Sequence, residues 1–68
     1  MRYRITDKNT NEPKGIIFKH DNEKLVEITA LQLLGNKAME SAQGEFRVEV
    51  EKNGEWVDTG IEIINQVL

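Results

Sequence analysis

Apolar and polar positions alternate in the first part of the chain and predict two β-strands. In MRYRITD the apolar side chains fall on one face and the polar side chains on the other, which separates Met1, Tyr3 and Ile5 from Arg2, Arg4 and Thr6. This period of two is typical of a half-buried strand. The segment GIIFKHD resumes the alternation after DKNTNEPKG, whose turn-forming residues indicate a loop. The following KLVEI is short and β-prone, so it could be a third strand or an extended lead-in.

A helical period replaces the alternation in TALQLLGNKAMESAQG. Thr29 and Gln32 have the spacing of a capping box, and Ile28 and Leu33 have that of a hydrophobic staple. Small and apolar residues recur at helical spacing behind them, namely Leu31, Leu34, Ala38 and Ala42. Gly44 stands where a left-handed residue commonly ends a helix.

These signals predict a helix from about residue 30 to residue 43. Gly35 lies inside this range, and a glycine in a helix interior costs about 1 kcal/mol relative to alanine. A helix that ends at Gly35 is therefore the alternative.

A β-hairpin is predicted for EFRVEVEKNGEWVDTG. Phe46, Val48 and Val50 alternate with charged residues, as expected for a strand with one apolar face. The pair Asn53-Gly54 that follows is the strongest short sequence signal for a hairpin turn.

The length of the hairpin loop decides where Trp56, the only tryptophan, lies. A two-residue turn pairs Val50 with Val57 and places Trp56 on the charged face, opposite Glu51. A three-residue loop with a bulge moves Trp56 into the core but points Asp58 inward, which is costly unless the carboxylate finds partners. The two-residue register is preferred, and the bulged register stays open.

The last residues, GIEIINQVL, fit either a strand or a helix. Thr59 and Glu62 repeat the capping-box spacing, which favours a short C-terminal helix. The element order is therefore β-β-α-β-β, with that short helix at the end. This order predicts an α+β fold in a single domain, residues 1–68, with one helix packed on a face of a small, mostly antiparallel sheet.

The composition limits the chemistry open to this chain of 68 residues, which contains no Cys and one His. Disulfides are excluded, a zinc cluster lacks its usual ligands, and we expect neither a metal nor a cofactor. No apolar run approaches the roughly 20 residues of a membrane span, and the first residues lack the apolar core of a secretory signal. We therefore expect a cytoplasmic protein that does not enter a membrane.

Catalytic motifs are sparse, and we expect no enzyme. Asp58-Thr59-Gly60 matches the D-T-G signature of dimeric aspartic proteases, which bring two carboxylates together. The chain looks too small for a substrate cleft, and a turn explains the same letters. Ser41 is the only serine and falls in the helical pattern. His20 lies near a strand end on the face of apolar residues, where a packed histidine is the simpler interpretation.

Charge is unevenly distributed along the chain, whose overall net charge is -3. The first 24 residues carry six basic and four acidic side chains, whereas the rest carries three basic and eight acidic ones. Arg2, Arg4 and Lys19 on neighbouring strands could contact nucleic acid phosphates. However, the arginines alternate with Tyr3, so they do not share its face, and the pI near 5.0 opposes this alternative.

The preferred hypothesis is a non-enzymatic domain that binds a protein partner through an acidic hairpin face. The predicted contact residues are Trp56, Glu45, Glu49, Glu51 and Asp58. A homodimer is also predicted, because the tail carries more apolar residues than one small helix face can hide. No internal repeat is visible. In size and composition the chain resembles the small accessory proteins of bacteriophages and prophages, a resemblance that rests on no motif.

Overall fold

The computed structural model describes residues 1–35 and 43–65. Four strands and one α-helix follow one another in the predicted order β-β-α-β-β, which confirms the α+β fold. The strands are β1 (Arg2–Asp7), β2 (Pro13–Lys19), β3 (Gly44–Lys52) and β4 (Glu55–Asn65), and the helix is α1 (Val26–Gly35). A 3-10 helix, Glu23–Leu25, precedes α1. No helix within the described ranges is long and apolar enough to cross a membrane.

The sheet has the strand order β2-β1-β3-β4, and every pair of neighbouring strands is antiparallel. Alternate residues of the strands face α1 and form one apolar cluster with its buried side. The cluster consists of Tyr3, Ile5, Ile16, Val26, Ala30, Leu34, Phe46, Val48, Val50 and Ile63. Because this cluster holds α1 against one face, the residues that alternate with it define the opposite face of the sheet.

The helical structure begins earlier than predicted. Asn22 is the N-cap of the 3-10 helix, and its side chain accepts a hydrogen bond from the backbone N–H of Lys24 at 3.0 Å. The predicted capping box at Thr29 is wrong, since Thr29 lies inside α1 and its Oγ1 donates to the carbonyl of Leu25 at 2.8 Å. The prediction of KLVEI as a strand or lead-in is also wrong. The apolar residue Val26 begins the buried stripe of the helix, and this packing outweighs its β-propensity.

The predicted apolar stripe of the helix is correct at Leu34 and wrong at Leu31, which is exposed. The buried stripe instead has the spacing of Val26, Ala30 and Leu34. Two further predicted stripe residues, Ala38 and Ala42, lie outside the described residues, as does the predicted helix beyond Gly35. Gly44, predicted to cap the helix, is the first residue of β3.

The predicted C-terminal helix is wrong for residues 61–65, which belong to β4. Ile63 pairs with Phe46 and is buried, while Glu62 pairs with Arg47 on the other face. Residues 61–65 form a strand rather than a helix, because Ile61 and Ile63 alternate on the side of β4 that continues the apolar face of β3. Residues 66–68 lie outside the described part of the chain.

The hairpin between β3 and β4 has the two-residue register. Asn53 and Gly54 have φ angles of 53° and 80°, as a type I′ turn requires. Lys52 pairs with Glu55, and Glu51 pairs with Trp56. Trp56 therefore lies on the face opposite α1, as the preferred register predicted.

The two hairpins of the sheet are related by an approximate two-fold axis that passes between β1 and β3. Tyr3-Arg4-Ile5 in β1 corresponds to Phe46-Arg47-Val48 in β3, and Ile5 pairs with Val48 at the centre. Each outer strand has extra residues opposite this pair, with a glycine of positive φ, Gly15 or Gly60, followed by isoleucine. The internal repeat was not visible in the sequence because it covers few residues and the insertions interrupt its spacing.

Candidate interaction surface

The face of the sheet opposite α1 is called the open face, and no described helix packs on it. Its central residues are Arg2, Arg4 and Thr6 of β1, Arg47, Glu49 and Glu51 of β3, and Trp56 of β4. Ile17 and Ile64, both exposed, mark its two sides. The long side chains of this face lie across the sheet, so its centre is partly covered although no second layer is described there.

Glu49 is the centre of a polar cluster on the open face and is only 7% exposed. Its Oε1 accepts hydrogen bonds from Thr6 Oγ1 at 2.6 Å and Arg4 Nε at 2.8 Å. Its Oε2 accepts one from Arg47 Nε at 3.3 Å. Burial by itself would raise the pKa of Glu49, but these hydrogen bonds outweigh it and hold the pKa below its ordinary value.

Trp56 lies beside the two arginines of β1. The guanidinium of Arg4 is 4.6 Å from the centre of the indole, and that of Arg2 is 5.8 Å away. Arg2 Nη1 also contacts both carboxylate oxygens of Glu51, at 3.1 and 3.2 Å. The indole is half-buried, so cation–π contacts and ion pairs fix its orientation while part of its surface stays accessible.

The structure separates the remaining predicted contact residues. Glu45 and Asp58 are exposed, and Glu45 lies at the far end of the open face, where it pairs with Ile64 of β4. Asp58 pairs with Glu49 and lies next to Trp56 along the strand face. Glu49, in contrast, accepts hydrogen bonds from groups of this chain at both carboxylate oxygens, so it is not part of the candidate contact surface.

The D-T-G tripeptide lies at the start of the insertion in β4, where Asp58 is the last residue before the register shifts. Asp58 Oδ1 accepts a hydrogen bond from the backbone N–H of Gly60 at 2.9 Å, and Thr59 Oγ1 donates to the carbonyl of Val48 at 2.8 Å. Gly60 has a φ of 84°, which a glycine adopts without strain. These contacts give the three residues a structural role within a single strand.

The residues of the nucleic acid alternative lie on the open face, but their surroundings differ from those expected. Arg2 and Arg4 are paired with Glu51 and Glu49, whereas Lys19 is exposed at the end of β2. The predicted separation of basic and aromatic groups holds for Tyr3, which stacks on Phe18 on the helix side. It fails for Trp56, which comes from β4 and lies beside the arginines. The two-residue hairpin register was the sequence signal for this contact, because it places Trp56 on the same face of the sheet as the arginines.

In the described part of the chain, no cluster of three His, Asp or Glu side chains could hold a metal ion. His20 Nδ1 accepts a hydrogen bond from the backbone N–H of Asn22 at 3.0 Å. This hydrogen bond holds the backbone at the residue that caps the 3-10 helix.

A groove of about 390 Å³ lies on the helix side, between the 3-10 helix and the β3–β4 hairpin. Tyr3, Val26, Val50, Val57 and Ile61 supply its apolar lining, and Glu23, Lys52, Asp58 and Thr59 supply polar groups. The sequence did not indicate this groove, because helical residues such as Val26 form it together with residues of distant strands.

Comparison with known proteins gives no match: no protein-family model, no curated protein and no solved structure is significantly similar to this chain. The resemblance in size and composition to phage accessory proteins therefore stays a prediction.

Proposed function

We propose that this domain acts by binding another protein through the part of the open face centred on Trp56. This surface is called the Trp56 face and consists of Arg2, Arg4, Glu51, Trp56 and Asp58. The observation that carries the proposal is the placement of a half-buried indole beside two arginines. Tryptophan and arginine are enriched among the residues that dominate the energy of protein interfaces.

Preorganisation supports the same function. Glu51 and Glu49 fix the two guanidinium groups, and these in turn fix one side of the indole. A partner that covers Trp56 would then immobilise few additional side-chain rotamers, and such immobilisation is one of the main costs of association. The exposed Asp58 beside Trp56 would favour a partner with a basic group at the rim of the contact.

A protein partner fits this surface better than a nucleic acid does. The arginines are already paired with carboxylates, and the chain carries a net charge of -3. A nucleic acid surface is expected to be basic and to leave its cations available for phosphates. The mixed charges of the Trp56 face instead resemble the polar rim around an aromatic anchor.

The test is a comparison of proteins captured from lysate of the native cells by wild-type protein and by the Trp56→Ala variant. Ile28→Ala is the matched control, because Ile28 is an exposed apolar residue on the outer side of α1. We expect a partner that wild type and Ile28→Ala retain and Trp56→Ala loses. With that partner purified, Trp56→Ala should weaken binding by at least about thirtyfold, the loss typical of a hot-spot residue.

Circular dichroism of each variant must first show an unchanged fold. Equal binding by wild type and folded Trp56→Ala would contradict the proposal. Affinity for nucleic acid that falls steeply with salt and is lost in Arg2→Gln would support the nucleic acid alternative instead.

A further inference from the structure

The two edges of the sheet differ in how they are protected against pairing with another strand. Edge strands are commonly protected by proline, lysine and irregular spacing. β2 has seven residues and contains Pro13, Lys14 and Lys19. β4 has eleven residues with neither proline nor lysine, and only the insertion at Gly60 interrupts it. Among the described strands, β4 is therefore the edge more open to a further strand.

The hairpin turn determines which backbone groups of β4 point outward. In a two-residue hairpin the residues that flank the turn bond to each other, and bonded and non-bonded pairs then alternate. The pair Lys52 and Glu55 flanks the turn here, so Trp56 and Asp58 direct their backbone N–H and C=O groups away from β3. An extended chain beside β4 would meet these groups.

The groove on the helix side lies directly inside this edge. Val57, Thr59 and Ile61 contribute to its lining, and they are alternate residues of β4. Side chains of an added strand alternate in the same way, so every second one would point into the groove. The apolar lining from Val26 and Val50 would take an aliphatic side chain there.

Tyr3 supplies a polar group that has no hydrogen-bond partner among residues 1–35 and 43–65. The residue is only 4% exposed, and its hydroxyl forms no hydrogen bond with the described residues. No buried side-chain oxygen or nitrogen in the described part is left without a partner, so the Tyr3 hydroxyl is accessible rather than enclosed. Since Tyr3 lines the groove, its hydroxyl can donate to or accept from a bound molecule.

Charge indicates which strand would bind. The charged residues of β4 are Glu55, Asp58 and Glu62, and all are acidic. A second copy paired through β4 would bring acidic residues near one another, which is destabilising. Glu62 is already ion-paired with Lys8 at 3.0 Å. A segment with basic residues would meet the opposite charges of Glu55 and Asp58 along the edge.

We propose that β4 and the adjoining groove form a second binding site, which takes an extended, basic peptide segment of another protein by strand addition. The segment forms backbone hydrogen bonds with the outer edge of β4 and places an aliphatic side chain in the groove near the Tyr3 hydroxyl. In this mode the main chain supplies affinity and the pocket supplies specificity. The groove lies on the opposite face of the sheet from the side chain of Trp56, and Asp58 borders both surfaces.

The test uses the synthetic peptide acetyl-Lys-Val-Thr-Val-Thr-Lys-amide, titrated into isotope-labelled full-length protein and followed by NMR. We expect saturable shifts in the amides of β4 and in residues that line the groove. A peptide with Glu in place of Lys should bind at least fivefold more weakly. Methylation of the backbone nitrogens of both valines and both threonines should abolish binding, because neither edge of the peptide then keeps these donors.

Tyr3→Phe separates binding from folding. We expect it to weaken peptide binding by about three- to tenfold, the effect of one hydrogen bond. Tm should not fall, since the hydroxyl has no partner in the described part of the chain. Ile28→Ala, an exposed position of α1 that does not line the groove, should change the peptide affinity by less than twofold.

Several outcomes would overturn the inference. One is the absence of shifts in β4 at millimolar peptide, and another is an unchanged affinity in Tyr3→Phe. Equal binding of the N-methylated peptide would show groove binding without strand addition. A molecular mass in light scattering that doubles with concentration and is prevented by Asp58→Pro, which removes an outward backbone N–H, would assign the edge to a second copy.

Discussion

At the scale of single residues, Glu49 shows how a charge is accommodated on a sheet face. The carboxylate is nearly buried and accepts hydrogen bonds from Thr6, Arg4 and Arg47. Arg4 lies directly across from Glu49 on β1, and Arg47 lies two residues before it on β3, so both guanidinium groups reach the same carboxylate. A sequence in which glutamates alternate along a strand predicts a solvated face, whereas here cross-strand partners enclose one of them.

We expect Glu49→Gln to lower the free energy of unfolding by about 1–3 kcal/mol at neutral pH, because the donors lose a charged acceptor. Glu51→Gln is the matched control on the same strand face. Its ion pair with Arg2 is more exposed, so its loss should cost less than about 1 kcal/mol. Chemical unfolding of both variants measures the difference, and equal losses would contradict the central role of Glu49.

The lowered pKa of Glu49 also predicts how stability depends on pH. The folded pKa lies below the ordinary value of about 4.5, so the ionised carboxylate contributes its full stabilisation above that pH. The contribution is lost as the pH falls through the lowered folded pKa. Urea titrations between pH 7 and pH 2 should therefore show a smaller loss of stability in Glu49→Gln than in wild type. An identical slope in both proteins would contradict this assignment.

Trp56 gives a spectroscopic readout of its own surroundings. The indole is half-buried beside Arg2 and Arg4. We expect an emission maximum blue-shifted from that of N-acetyl-tryptophanamide and acrylamide quenching weaker than for that compound. Unfolding in urea should remove both differences. Emission equal to the free compound in the folded protein would mean that the arginines do not cover the ring.

At the scale of the secondary-structure elements, the sequence predicted strand faces better than element boundaries. The alternation in β1 and β3 and the Asn53-Gly54 turn determine their faces locally, since a shift of one residue would reverse every side chain. The predicted start of α1 and the predicted helix at the end of β4 were wrong, because the capping-box spacing also occurs in segments where no helix begins. Packing of Val26 and Ile63 in the core decides between those signals.

The glycine in the β4 insertion gives a test at this scale. Gly60 has a φ of 84°, so Gly60→Ala should cost about 1–2 kcal/mol of stability although an added Cβ meets no atom within 4 Å. Gly35 also has space for a Cβ but has no positive φ. Gly35→Ala should therefore stabilise the protein by about 0.5–1 kcal/mol. Thermal unfolding compares the two, and effects of the same sign would contradict the role given to the insertion.

At the scale of the whole molecule, the central strands join the two oppositely charged parts of the chain. β1 carries the basic residues Arg2 and Arg4, and its neighbour β3 carries their partners Glu51 and Glu49. The uneven charge of the two parts is thus partly neutralised across the β1–β3 pair. This distribution could not be recognised from the sequence, because antiparallel pairing brings together residues more than 40 positions apart.

Hydrogen exchange should follow the same organisation. β1 and β3 have a strand on each side and contribute most of the fully buried strand residues, whereas β2 and β4 form the edges. We expect the slowest amide exchange in β1 and β3 and faster exchange in the outer strands, since the central strands open only with the whole domain. Measurement by NMR at several pH values tests this order. Uniform protection in all four strands would contradict it.

The sequence by itself determined the order of elements, the apolar faces of β1 and β3 and the turn that orients Trp56. These features follow from local periodicity and turn chemistry, which depend on residues a few positions apart. The tertiary structure decided that Glu49 is enclosed, that Arg2 and Arg4 lie beside Trp56, and that a groove with the Tyr3 hydroxyl opens next to β4. The reason is physical: these features depend on strand order and on the packing of α1, and both are set by the total burial of distant apolar residues.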